Sequence, residues 1–232
     1  MQKQLQNVFI FQFYIYINMK KEAQQKYSPS LRFWHWGNTL VILGSLVTVL
    51  INSTLFDGGS ARDFVQKELT DAGANVSPEQ ARALVHGLED QVWGIHIYFG
   101  YVLAALFLYR IVVEIRADKN QRVIHKFLDA LKTYSSNQAF KSTARYELGI
   151  KLLYLVFYTL LLIMVVTGLS VAFDDSLRIS RSLSHSLKEI HGFCMYPILG
   201  FIVLHVGGVY FAERKNKKGI VSDMINGGET NN

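Results

Sequence analysis

Four apolar stretches dominate this 232-residue chain, near Phe33–Leu55, Trp93–Ile115, Lys151–Phe173 and Ile190–Phe211. Each is long enough, as a helix, to cross a hydrocarbon core about 30 Å thick. The expected fold class is therefore all-α, a polytopic membrane four-helix bundle. Charged residues make up 18% of the chain, below the usual quarter for soluble proteins. Nothing of ordinary domain size is left over for a separate soluble domain.

The net charge of +6 invites a nucleic-acid reading, and its distribution argues against one. Five Lys/Arg precede the first stretch, nine lie from Arg110 to Lys151, and four follow the last stretch. The segments 56–92 and 174–189 hold three each. This asymmetry is the positive-inside pattern. Both termini and the connection between spans two and three are expected on the cytoplasmic side. Segments 56–92 and 174–189 are then expected to face outward.

Residues 1–26 are an extension of uncertain standing. VFIFQFYIYI is apolar but too short to span, and no small-residue cleavage site follows it. Met19 opens MKKEAQQKYSPSLRFWHW, an alternative start; the other reading of the extension is an interfacial anchor. Span one should begin after Ser28-Pro29-Ser30. Segment 56–92 carries seven Asp/Glu and the capping-box pattern Ser77-Pro78-Glu79-Gln80. It predicts a helix through Arg82–Leu88, an earlier one over Ala61–Leu69, and a stop near Gly73. Together these form an outer helical hairpin. VIHKFLDALKTY, with Val123, Ile124, Phe127, Leu128 and Leu131 at helical spacing, predicts an amphipathic surface helix. Residues 229–232 are a polar tail.

The histidines carry the chemistry. His191 and His205 stand fourteen residues apart in HGFCMYPILGFIVLH. Four helical turns put both imidazoles on one helix face, about 21 Å apart along the axis. Imidazole is costly in lipid, so such residues usually have a use. Topology assigns depths: His96 and His191 fall on the outer side, His35 and His205 on the cytoplasmic side. Two imidazoles facing across a bundle core are what a bis-histidine haem b requires. The expected ligands are His96 and His191 for an outer haem iron, and His35 and His205 for an inner one. Gly100, one turn after His96, would leave room for a porphyrin; Gly200 and Gly207 are weaker instances. His86, His125 and His185 lie in connections and read as surface residues. Cys194, the single cysteine, reads as a small packing residue, and the absence of CxxCH excludes covalent haem attachment.

Arg32 precedes His35 by one turn, and Arg110 follows His96 by fourteen residues. Both are candidates for the propionates of the inner haem, since arginine grips carboxylates with a bidentate fork. Positive-inside anchoring explains them equally well.

The segments LRFWHW, IHIYFGYVLAALFLYR, TGLSVAF, HGFCMYPILGFIVLH and VSDMINGG resemble the b-type cytochrome subunits of membrane-bound nickel-iron hydrogenases. These belong to the wider bacterial cytochrome b561 family. The resemblance runs from about Tyr27 to Gly228 and implies that 27–228 is a di-haem membrane domain. It carries the axial-ligand role onto His35, His96, His191 and His205. It also implies two haems b, quinone as substrate and a periplasmic hydrogenase or dehydrogenase partner. The chain would then be an electron-transfer subunit of an oxidoreductase complex, with no catalytic side chain of its own. The acidic helical insert 56–92 departs from the hydrogenase pattern. Formate dehydrogenase gamma subunits and stand-alone b561 proteins share the histidine framework, so both stay open. A stand-alone protein would oxidise a small species such as superoxide against quinone. A histidine-based transporter is a third reading. It would need intramembrane carboxylates, which the span interiors lack.

Overall fold

The computed structural model describes residues 27–56, 58–117, 122–136, 141–215 and 219–228. The N-terminal extension 1–26 and the tail 229–232 lie outside the described residues. Those described form helices and turns, without strands. The elements are α1 (Pro29–Leu55), α2 (Gly58–Asp71), α3 (Pro78–Arg116), α4 (Val123–Ser136), α5 (Lys141–Ala172), α6 (Arg181–Lys215) and α7 (Ile220–Asn226). Four of them, α1, α3, α5 and α6, are long and apolar enough to cross a membrane. The chain divides into two units, with boundaries inside α1 and α6. One joins the chain up to His35 with Val203 onward, and the other is Trp36–Ile202.

In the larger unit the spans are longer than their apolar stretches. The expected Arg82–Leu88 helix is not a separate arm. It is the first part of α3, which runs 39 residues without a break. At 1.5 Å per residue that is about 58 Å, nearly twice a hydrocarbon core. The reason is local: no proline follows Pro78 before Arg116, and the glycines at 87 and 94 weaken a helix without ending it. The expected hairpin therefore consists of α2 and the head of α3. Its turn is closed by Gly73 at φ 87°, with Ala74 N donating to Leu69 O at 2.9 Å. That is a helix stop of the Schellman kind, for which glycine is suited.

The capping box at the start of α3 is formed in full. Gln80 N donates to Ser77 Oγ at 3.3 Å, and Ser77 N donates to Gln80 Oε1 at 2.9 Å. Ser77→Ala should cost about 1 kcal/mol locally. Amide exchange at Gln80 and Ala81 should speed up by roughly fivefold, measurable by hydrogen–deuterium exchange.

The long helices of this unit meet where small residues let them. A Cβ on Gly44 of α1 would come within 2.5 Å of the Phe99 ring on α3. On α5, Gly168 is in contact with the ring of His191 on α6, and Phe157 stacks on Phe201 of α6 at 4.2 Å between centroids. Between α5 and α6, Ser184 Oγ donates to Asp174 Oδ2 at 2.7 Å, tying the turn to the head of α6. At the other end of α3, Arg122 donates to the carbonyls of Ile115 and Ala117 at 3.0 and 3.1 Å, satisfying acceptors that a helix end leaves orphaned. The helix α4 leaves Ile124, Leu128 and Leu131 exposed at i, i+4 and i+7 spacing. This is the apolar stripe expected of a surface-lying helix.

In the smaller unit, α7 is pinned against the start of α1. Tyr27 N donates to Gly227 O at 3.0 Å, and Arg32 Nη1 donates to Ile225 O at 2.6 Å. Glu213 accepts from Gly219 N and Ile220 N at 2.6 and 2.9 Å, which satisfies the N-terminal amides of α7. Gly219 and Gly227, at φ 92° and 108°, bracket that short helix in the left-handed region.

Candidate functional site

The structure brings the four span histidines together as two pairs. His35 on α1 and His205 on α6 lie with ring centroids 6.1 Å apart and planes at 54°. His96 on α3 and His191 on α6 lie 6.2 Å apart with planes at 79°. Each pair falls within one of the two units. All four rings are half-buried. The other histidines stay apart from these pairs. His86 and His185 are exposed and sit beside Glu89 and Glu189, at 3.2 and 3.6 Å, and His125 is exposed on α4.

The His96–His191 pair draws on all four long helices. His96 Nδ1 lies 2.9 Å from Thr48 Oγ1 and 3.3 Å from Ser45 Oγ, both on α1. His191 Nδ1 lies 3.0 Å from Thr167 Oγ1 on α5. Trp93 meets His96 edge-on at 5.4 Å. A Cβ on Gly168 would stand 2.9 Å from Cε1 of His191, so that glycine is what lets the imidazole lie against α5.

Beyond its single histidine, α1 contributes a polar face that the histidine spacing does not reveal. Its buried residues Asn38, Val41, Thr48 and Asn52, with the half-buried Ser45 between them, follow one another at three- and four-residue steps. Four of these five are polar. Asn38 Oδ1 and both amide atoms of Asn52 are buried without a hydrogen-bond partner among the described residues. The signal was present, because heptad spacing of polar residues inside an apolar span marks an inward face.

Ring separation tests whether a metal would fit. Two imidazole nitrogens, each about 2 Å from a metal lying between them, put their ring centroids roughly 6 Å apart. Both observed pairs meet that condition. A Cβ on Gly100, Gly200 or Gly207 would meet nothing within 4 Å, and Gly200 is exposed. Residues 26–227 match the family described as prokaryotic cytochrome b561. The chain belongs to that family. A b561 chain is a multi-pass membrane cytochrome that binds haem b and transfers electrons, and the four long apolar helices agree with this. No curated protein and no solved structure matches the chain.

The two candidate propionate ligands are each held by protein groups. Arg110 pairs with Glu114 at 3.1 Å and donates to Tyr158 Oη at 3.0 Å. Arg32 donates to Ile225 O, while its Nε is buried with no acceptor among the described residues. Cys194 is buried and free, as a packing residue would be.

Proposed function

We propose that this chain is a di-haem electron-transfer subunit of the bacterial inner membrane. It exchanges electrons between a periplasmic redox partner and the quinone pool. In this reading His96 and His191 ligate an outer haem b, and His35 and His205 an inner one. The observation that carries it is the pair of histidine couples at 6.2 and 6.1 Å. Each couple offers two donors, whereas a bare structural zinc takes four protein ligands. Among the described residues no group of three or more His, Cys, Asp or Glu could hold a metal ion. A tetrapyrrole that supplies the equatorial nitrogens suits this donor set.

Bound haem supplies a one-electron iron couple, and the protein positions it and tunes its potential. Arg32 keeps a spare buried donor one turn from His35, which supports a propionate contact there. Arg110 is already neutralised by Glu114, so a propionate would have to share it. Quinone is expected on the cytoplasmic side, close to His35. The charge asymmetry supports this orientation. The acidic outer hairpin of α2 and α3 supports a protein partner over a self-sufficient oxidase of small molecules.

The test is a haem count. The purified protein should give a pyridine haemochrome value of two haems b per chain. A folded preparation with no haem would defeat the reading, and one haem per chain would remove half of it. A hydrogenase or dehydrogenase co-purifying through the outer hairpin would identify the partner class. Catalysis of superoxide oxidation by the isolated chain would favour the stand-alone alternative.

A further inference from the structure

Thr48 and Thr167 occupy equivalent places on opposite sides of the outer pair. Thr48 Oγ1 lies 2.6 Å from the carbonyl of Ser45, and Thr167 Oγ1 lies 2.6 Å from the carbonyl of Ile163. At that separation two oxygens need a proton between them, and a carbonyl has none to give. A hydroxyl carries one proton. In both threonines it is spent on the backbone one turn back, an arrangement common for Thr in helices. What remains on each Oγ1 is lone pairs, aimed at the Nδ1 of His96 at 2.9 Å and of His191 at 3.0 Å. At His191 the Nδ1 must therefore carry the hydrogen; at His96 the shorter Thr48 contact asks for the same, with Ser45 Oγ a second and longer contact at 3.3 Å. In a neutral imidazole the other nitrogen, Nε2, is then the bare one.

We propose that Thr48 and Thr167 act as tautomer locks: they hold His96 and His191 as Nδ1–H imidazoles, present both Nε2 lone pairs to one metal, and lower its reduction potential. This rests on the ligation reading above. The potential follows from the direction of the hydrogen bond. An acceptor on Nδ1–H pushes electron density into the ring and makes it a more basic ligand. A more basic ligand stabilises ferric over ferrous iron, so two such acceptors act in the same direction. Neither threonine touches the metal; both are positioning residues.

The test compares Thr48→Val and Thr167→Val with Thr48→Ser and Thr167→Ser in the intact protein. Valine keeps the branched shape and loses the acceptor; serine keeps the hydroxyl. Redox titration of the visible spectrum should show the midpoint of one haem moving upward in each valine variant and staying put in each serine variant. The expected size is on the order of tenfold in the reduction equilibrium, about 59 mV for a one-electron couple. The double valine variant should move further. Haem loss in a valine variant that the matching serine variant restores also supports the lock. An unchanged midpoint in both valine variants overturns it, as does haem loss shared equally by valine and serine. His96→Ala separates the two claims. If that variant retains both haems, ligation itself is wrong; if it loses one while the valine midpoints do not move, only the lock is wrong.

Discussion

His96→Ala and His191→Ala should each remove one haem, and it should be the same haem. The two rings face each other at 6.2 Å from different helices, so under the proposed ligation deleting either would leave a single axial donor. A lone imidazole cannot hold a low-spin, six-coordinate iron, and the remaining ring is left half-buried without its counterpart. The same logic makes His35→Ala and His205→Ala a second matched couple, with centroids at 6.1 Å. The measurement is a pyridine haemochrome count with low-temperature spectra, which resolve the two centres. Four single variants should then give two spectra, not four. If His96→Ala and His191→Ala lost different centres, the pairing would be wrong even though both residues were ligands.

Gly168→Val should weaken haem binding on the His191 side without changing either histidine. A Cβ at position 168 would fall 2.9 Å from Cε1 of His191, and valine adds two methyl groups beyond it. Nothing flexible stands between: the ring is one atom layer from the α5 backbone and is held at Nδ1 by Thr167. Overpacking of this kind typically costs about 1–3 kcal/mol. Here the easiest relief is to swing the imidazole off its line to His96. The variant should retain the inner haem and bind the outer one at least tenfold more weakly, as second-shell losses commonly do. Haem stoichiometry across a haemin titration checks this. A full complement of outer haem at the wild-type midpoint would mean that α5 and α6 can part without consequence.

Much of this site can be read from sequence because hydropathy and charge act over long stretches. Fourteen residues between His191 and His205 fix a shared helix face, and the Lys/Arg asymmetry sorts the remaining histidines by depth. The pairing so obtained is the one that the rings adopt. Helix ends were harder. The extension of α3 back to Pro78 depends on the absence of a breaker between Leu88 and Trp93, and a change from polar to apolar sequence there looks like a boundary without being one. The threonines were harder still. Thr48 and Thr167 are ordinary members of apolar spans until the neighbouring helix is known, because their partners sit 48 and 24 positions away. The arginines illustrate the opposite difficulty. Arg110 reads in sequence as a candidate for a propionate or as an interface anchor, and Glu114, one turn further along, supplies it with a partner already in the same helix.

The 39-residue helix α3 has a mechanical meaning. Its first turns form one arm of the outer hairpin, and His96 sits five turns further along the same rod. A proline, or a pair of small residues side by side, would make a hinge, and between Ala81 and His96 there is neither. A protein that docked on the hairpin would hold one arm of a rod that carries His96 near its middle. That arm of the hairpin and His96 thus lie on one continuous helix.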